Sequence, residues 1–105
     1  MAIKTITKEA FDLDVKQSTL PVLLEFWAPW CTYCRRLGPV LDRLAEQLEG
    51  KVAVGKVNID EQPDLESRFG VEVIPTLYLF RDGAPGEKLV APASQEDISN
   101  WLQTQ

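Results

Sequence analysis

The feature that most constrains this chain is a pair of cysteines, separated by two residues, between an apolar stretch and an amphipathic one. Residues Val22–Trp27 form a near-continuous apolar run of the kind expected for a buried strand. From Cys34 onward, apolar side chains recur at helical spacing, at Leu37, Val40, Leu41, Leu44, Ala45 and Leu48. The sequence therefore predicts a strand followed by a helix that the Cys31–Cys34 pair opens.

The start of a helix is a favourable place for a reactive thiol. Its first backbone N–H groups have no partner within the helix, and the positive end of the helix dipole favours a thiolate. A thiolate is the species that attacks disulfides, and a second thiol at this spacing can reach the mixed disulfide that results. We therefore predict that Cys31 is the nucleophile and that Cys34 is the resolving cysteine.

Cysteine pairs also have structural uses. Buried cysteines can be apolar fillers, and a pair can form half of a zinc site. A structural zinc ion takes four cysteine or histidine ligands, whereas this chain has two cysteines and no histidine. A zinc site would need carboxylates or a second subunit, so we expect no metal and no cofactor.

Length and charge narrow the class of protein. A chain of 105 residues has the size of one domain, and we expect residues 1–105 to form a single one. The net charge of −5 and the isoelectric point near 4.6 argue against nucleic acid and anionic membranes as partners. Residues 1–20 lack the apolar core of a signal peptide or a membrane span, so we expect a cytoplasmic protein, which we take to be a monomer.

The rest of the pattern alternates strands with helices. The predicted strands cover residues 3–6, 22–27, 52–59, 71–80 and 88–90, and the predicted helices cover 7–15, 34–48, 64–69 and a segment from 94 onward. Gly50 suits the C′ position of the long helix, and Ser94 suits an N-cap. Asp82 and Gly83 form a turn signal, whereas Pro75 cannot donate a ladder bond. This order indicates an α/β fold with a mixed sheet sandwiched by helices.

Glu25 is the most informative residue outside the cysteine motif. A carboxylate in the middle of an apolar strand loses its hydration, which is unfavourable unless the group is neutral or paired. Lys56, on the next predicted strand, is the candidate partner. We expect desolvation to raise the pKa of Glu25 more than Lys56 lowers it. The alternative is that Glu25 points to solvent at a sheet edge.

Five separated features resemble the thioredoxin family in order and spacing, over nearly the whole chain. They are residues 27–34, 38–39, 56–60, 74–76 and 82–83. The resemblance implies a three-layer sandwich whose central mixed sheet has about five strands and is flanked by about four helices. It also implies a cis peptide before Pro75, beside the cysteines, and a substrate groove bounded by Trp30, Ile74 and Pro75. Glu25 stands where the family has a buried aspartate, which implies proton exchange with Cys34 through water.

Two departures from the family pattern lie where a substrate or a reductase would dock. The usual Gly-Pro between the cysteines is Thr32-Tyr33 here. With a tyrosine before the second cysteine, the motif resembles that of glutaredoxins. Ala91 stands where the family usually has a glycine, and we count Thr32, Tyr33 and Ala91 among the substrate-binding residues. Because tyrosine keeps the N–H that proline lacks, Tyr33 offers a further potential donor to the sulfur of Cys31.

The resemblance implies an enzyme that reduces disulfide-containing proteins and is recycled by a thioredoxin reductase or another electron donor. One alternative is a glutathione-coupled or oxidising enzyme, which Tyr33 favours and which recycling by glutathione would identify. Another is a non-catalytic binding module, whose function would survive replacement of both cysteines. A dimer that bridges an iron–sulfur cluster through Cys31 would absorb visible light after anaerobic purification.

Overall fold

The computed structural model describes residues 3–105. They form a mixed sheet whose strands are β1 (Lys4–Thr5), β2 (Val22–Trp27), β3 (Ala53–Asn58), β4 (Thr76–Arg81), β5 (Ala84–Pro85) and β6 (Leu89–Val90). The helices are α1 (Thr32–Gln47), α2 (Pro63–Arg68) and α3 (Gln95–Gln103), together with a π-helical segment, Asp12–Lys16. The predicted α/β sandwich is confirmed, with β5 as a short strand that the sequence pattern did not indicate.

The sheet places β2 at its centre. The strand order is β1-β3-β2-β4-β5, and β6 pairs with β4 as well. β2 is parallel to β3 and antiparallel to β4, and residues 22–26 are buried. A central strand covered on both faces is expected to be apolar throughout. The register sets Glu25 beside Lys56 on β3 and beside Leu77 on β4.

Alternating side chains of β2 serve two separate cores, because successive residues of a strand point to opposite faces. Leu24 and Phe26 belong to the first core, whose aromatic and aliphatic members include Phe11, Val57, Leu65 and Phe80. Leu23 belongs to the other cluster, in which α1 and α3 are packed on the sheet through Leu37, Leu41, Leu44 and Ile98. The sheet is therefore covered by apolar side chains on both faces.

The segment after β1 differs from the predicted helix 7–15. The hydroxyl of Thr7 accepts the N–H of Ala10 at 3.2 Å, so Thr7 does cap a turn. The helical residues that follow are Asp12–Lys16, where the N–H of Gln17 bonds to the carbonyl of Asp12 in the wide π pattern. Phe11 and Val15, four residues apart, are both buried in the first core, so the segment still buries the side that a regular helix would bury.

Proline and glycine positions explain the other differences. The strand predicted from residue 71 begins only at Thr76, because Pro75 has no N–H to offer a neighbouring strand. The predicted cis peptide is present at Ile74–Pro75. Gly50 has a φ of +81° as expected, but it lies two residues beyond the C-cap, Leu48, and not at C′.

No helix within residues 3–105 is long and apolar enough to cross a membrane.

Both residues of the predicted turn adopt the left-handed conformation. Asp82 has a φ of +52° and Gly83 a φ of +82°, and together they join β4 to β5 as a tight hairpin turn. The predicted N-cap of the last helix is also confirmed. The hydroxyl of Ser94 accepts the N–H of Asp97 at 3.1 Å, and the Asp97 carboxylate accepts the N–H of Ala93 at 3.2 Å.

Candidate active site

The two cysteines lie where β2 passes into α1. Cys31 is the N-cap of α1, with extended backbone angles, and its N–H bonds to the carbonyl of Ala28 at 3.1 Å. Its sulfur accepts the N–H of Cys34 at 3.2 Å. Among the described residues, the N–H of Tyr33 does not bond to this sulfur, so the further donor offered by the sequence is absent. A sulfur in the N-cap position satisfies one of the unpaired N–H groups of the first helical turn.

The two thiols differ in exposure. Both are free, with Cys31 8% exposed and Cys34 2% exposed. Burial raises the pKa of Cys34 to about 12, and the hydrogen bond to Cys31 and the charges of Cys31 and Glu25 act in the same direction, against a backbone hydrogen bond from Ala28. Cys34 therefore retains its proton at neutral pH unless a base removes it.

Glu25 is buried in the central strand of the sheet and is not at a sheet edge. Its side chain is 1% exposed, and its Oε1 atom lies 4.0 Å from the Nζ atom of Lys56. Neither carboxylate oxygen has a hydrogen-bond partner among the described residues. Desolvation raises the pKa of Glu25 to about 7, against the opposite effect of Lys56. This confirms the expected order of the two effects and gives a group that titrates near neutral pH.

Lys56 has a second contact that the sequence did not indicate. Its Nζ atom lies 5.1 Å from the ring centroid of Trp27, in cation–π geometry. The side chain is 23% exposed, and its ammonium group faces Glu25. The partly buried ring of Trp27 also packs against the cluster of Ala28, Cys31 and Cys34.

One rim of the site is formed by Trp30, which is 63% exposed. Its indole N–H donates to the carboxylate of Asp60 at 3.1 Å, which holds the ring at the end of β3. Sequence reasoning missed Asp60, although it lies in one of the segments that carried the family resemblance. The exposed Thr32 occupies the first position of α1.

Ile74 and Pro75 lie beside the sulfurs. The Ile74 side chain packs against the buried cluster of Ala28, Cys31 and Cys34. Within residues 3–105, the N–H and carbonyl of Ile74 make no hydrogen bond, whereas the carbonyl of Pro75 accepts the N–H of Ala91 at 2.8 Å. The neighbouring Val73 is 52% exposed. An extended peptide could therefore pair with the backbone at Ile74.

The two departures from the family pattern meet in space. The hydroxyl of Tyr33 lies 2.9 Å from the carbonyl oxygen of Pro92 and 3.2 Å from that of Ala91. Ala91 has a φ of +46°, a conformation that glycine adopts without strain and alanine does not. The sequence carried no signal for this contact, because the partners are 58 and 59 residues apart.

The predicted residues thus converge on one end of the sheet. Ile74 packs against Cys31 and Cys34, the charge of Glu25 acts on Cys34, and Lys56 faces Glu25. Trp30 and Tyr33 carry the exposed aromatic side chains. In the part of the chain that the structure describes, no group of three or more histidine, cysteine, aspartate or glutamate side chains is arranged to hold a metal ion. The arrangement provides a dithiol, a carboxylate whose pKa is about 7, and exposed apolar side chains.

Several known proteins have sequences similar to this chain. The family model described as Thioredoxin matches residues 2–104. The chain is 41% identical to Thioredoxin 1 of Nostoc sp., over 97% of this chain and 95% of that protein. It is 41% identical to Thioredoxin 1 of Synechococcus elongatus, over 92% and 91%, and 39% identical to Thioredoxin of Rickettsia bellii, over 92% of both. The chain belongs to the thioredoxin family and is a thiol-disulfide oxidoreductase.

Proposed function

We propose that this enzyme reduces disulfide bonds of other proteins, with Cys31 as the nucleophile and Cys34 as the resolving cysteine. The observation that carries the proposal is the difference between the two thiols. Cys31 is the more exposed and its sulfur accepts a backbone N–H at the start of α1, whereas Cys34 is buried with a raised pKa. The two cysteines are therefore suited to successive steps.

In the first step, the Cys31 thiolate attacks one sulfur of the substrate disulfide. A bond forms between Cys31 and that sulfur, the substrate S–S bond breaks, and the other substrate sulfur leaves as a thiolate that takes a proton. The N–H of Cys34 donates to the Cys31 sulfur and holds it at the start of α1.

In the second step, Cys34 gives up its proton and attacks the Cys31 sulfur. The mixed disulfide breaks, a disulfide forms between Cys31 and Cys34, and the remaining substrate sulfur leaves as a thiol. In the full reaction the dithiol gives two electrons to the substrate, whose two sulfurs take up two protons, one released by Cys34 and one from solvent. We assign Glu25 as the group that accepts the proton of Cys34, since its pKa of about 7 suits a base at neutral pH. No hydrogen bond joins them in the described chain, so the transfer runs through water.

Lys56 acts on this step through Glu25. Its ammonium group favours the ionised carboxylate and so opposes the effect of burial. Without Lys56, Glu25 would remain protonated to higher pH and could not accept a proton from Cys34 at neutral pH. We therefore assign Lys56 as a positioning residue that adjusts the pKa of Glu25.

The substrate binds as an extended segment across the site. We assign the backbone of Ile74 to pair with it, because these polar groups make no other hydrogen bond among residues 3–105. Trp30 and Pro75 provide apolar contacts around the sulfurs, and Thr32, Tyr33 and Ala91 form the opposite wall. Exposed apolar side chains at Val73 and Val90 extend the same surface.

Disulfide-containing proteins are the substrates of this family, and a reductase is the partner that regenerates the dithiol. We infer that residues 1–105 work as one domain, as a monomer in the cytoplasm, and that the electron donor is a thioredoxin reductase. The formal charge of −5 supports protein partners over nucleic acid or anionic membranes.

The test is reduction of insulin disulfides with separate electron donors. One arm contains NADPH and thioredoxin reductase, and the other contains glutathione, NADPH and glutathione reductase. We expect turnover in the first arm to exceed that in the second by at least tenfold. Faster turnover with glutathione would favour the glutathione-coupled alternative that the identity of Tyr33 supports.

Two serine variants assign the roles of the cysteines. Cys34→Ser should react once and accumulate a mixed disulfide through Cys31, which mass spectrometry detects as an adduct. Cys31→Ser should form no adduct and show no turnover. Adduct formation at Cys34 in the Cys31→Ser variant, with retained turnover, would contradict the assignment.

A further inference from the structure

The segment between the cysteines is tied to a distant loop through one phenol group. The Tyr33 hydroxyl lies within hydrogen-bond distance of the carbonyl oxygens of Ala91 and Pro92, at 3.2 and 2.9 Å. A hydroxyl has one proton, so it donates to one of these carbonyls at a time or shares its proton between them. Tyr33 is 39% exposed, and its contact with the loop therefore lies at the protein surface beside the cysteines.

The loop that accepts this hydrogen bond is held in an unfavourable conformation. Ala91 has a φ of +46°, where its Cβ is crowded against the backbone. Its N–H is bonded to the carbonyl of Pro75 at 2.8 Å, so the same residue contacts both the proline segment and Tyr33. Val90, just before it, pairs with Thr76 at the start of β4.

These contacts close a ring around the site. Tyr33 is two residues from Cys31, and its hydroxyl lies within hydrogen-bond distance of the carbonyl of Ala91. The N–H of Ala91 donates to the carbonyl of Pro75. Ile74, the neighbour of Pro75, packs back against Cys31 and Cys34. The distance between the helix start and the 91–92 loop is therefore set by a rigid aromatic side chain.

We propose that Tyr33 is a specificity-determining positioning residue, which holds the 91–92 loop in place so that the groove is preformed for extended protein substrates. The inference rests on the proposed function, since it concerns the wall of the same groove. A preformed wall favours substrates that span the groove, because less loop ordering remains to be done on binding. A small disulfide that contacts only the sulfurs gains much less from this wall.

The test compares two substrates in single-turnover reactions that need no reductase. Reduced protein is mixed with native, disulfide-bonded insulin or with the small aromatic disulfide 5,5′-dithiobis(2-nitrobenzoic acid). The second-order rate constants are then measured. For Tyr33→Phe, which removes only the hydroxyl, we expect the ratio of the insulin constant to the small-disulfide constant to fall by about two- to tenfold, as for the loss of one hydrogen bond. An unchanged ratio would overturn the proposal, whether both constants stay the same or both fall by the same factor.

Tyr78→Phe is the matched control. The Tyr78 hydroxyl also donates to a backbone carbonyl, that of Phe69 at 3.1 Å, but Tyr78 is a partly buried residue of β4 that packs against the first core. The same chemical change there should leave the substrate ratio within twofold of the wild type. A fall equal to that of Tyr33→Phe would show that loss of any such bond has this effect, and would contradict a specific role for Tyr33.

A third comparison tests the route through Ala91. Glycine adopts positive φ angles readily, so Ala91→Gly holds the loop conformation with less help from the phenol. In the Ala91→Gly background, Tyr33→Phe should change the ratio by less than in the wild-type background. An equal change in both backgrounds would overturn this route. If the wild type does not reduce insulin, the proposed function itself fails, and this outcome is distinct from an unchanged ratio.

Discussion

Oε1 of Glu25 lies 4.0 Å from Nζ of Lys56, and the two residues are direct neighbours in the register of β2 and β3. The carboxylate has no hydrogen-bond partner among the described residues, while the ammonium group also faces the ring of Trp27. A buried carboxylate with one cation at this distance is only partly compensated for its lost hydration. The consequence is a pKa of about 7, which makes both stability and reaction rate depend on pH near neutrality.

The first prediction concerns the free energy of unfolding. The pKa of Glu25 is about 7 in the folded state against 4.5 ordinarily, so the folded state holds the proton more tightly. The stability that this contributes is present below about pH 4.5 and is lost as the pH rises through 7. Between pH 5 and pH 8, the wild type should lose about 2–3 kcal/mol more than Glu25→Gln does. Urea unfolding at the two pH values measures this, and equal losses would contradict it.

The second prediction concerns the resolving step. Glu25→Gln keeps the shape of the side chain but cannot accept a proton, so release of the mixed disulfide should slow by about 100-fold near pH 7, the lower end of what a general base contributes. The first attack by Cys31 should be much less affected. Rapid quenching with acid, followed by mass spectrometry, separates the two steps. Equal slowing of both steps would show that Glu25 acts on the Cys31 thiolate instead.

The third prediction concerns Lys56. Replacement by methionine removes the charge that lowers the pKa of Glu25, so that pKa should rise above 7. The pH midpoint of the resolving step should move upward with it, while Lys56→Arg, which keeps the charge, should leave the midpoint near the wild-type value. A pH–rate profile of each variant gives the midpoints. The same midpoint in all three proteins would exclude coupling between Lys56 and Glu25.

The fourth prediction concerns the relative reactivity of the thiols. Because Cys34 is buried and its pKa is raised to about 12, it is almost entirely protonated at pH 7. A brief treatment of the reduced protein with iodoacetamide should therefore label Cys31 first. Peptide mass spectrometry locates the label, and Cys34→Ser serves as the control with a single thiol. Preferential labelling of Cys34 would reverse the assigned roles.

The fifth prediction concerns Gly55, which lies on β3 between β1 and β2. A Cβ atom placed on it would lie 2.8 Å from Cγ1 of Ile6, a buried residue of the first core. Gly55→Ala should therefore destabilise the fold by about 1–3 kcal/mol through overpacking. If the crowding is the cause, Gly55→Ala should destabilise an Ile6→Ala background by less than it destabilises the wild type, since Ile6→Ala removes both Cγ1 and Cδ1. Urea unfolding of the single and double variants provides the measurement.

Much of the site could be predicted from local sequence because the relevant signals are local. The spacing of Cys31 and Cys34 and the helical period after them indicated a dithiol at a helix start. The apolar neighbours of Glu25 indicated a desolvated carboxylate. Lys56 was identified as its partner because consecutive strands commonly pair. The cis peptide before Pro75 came from the family resemblance and not from any residue pattern.

The sequence by itself determined which residues are apolar, which carry the reactive groups and where helices and strands recur, since these follow from residue type and spacing. Only the tertiary structure decided that Cys34 and not Tyr33 donates to the Cys31 sulfur, that Gly55 leaves room for Ile6, and that residues 12–16 form a π turn. It also brought Tyr33 to the 91–92 loop. Such contacts depend on strand order and on the packing of two cores, which no local pattern of residues encodes.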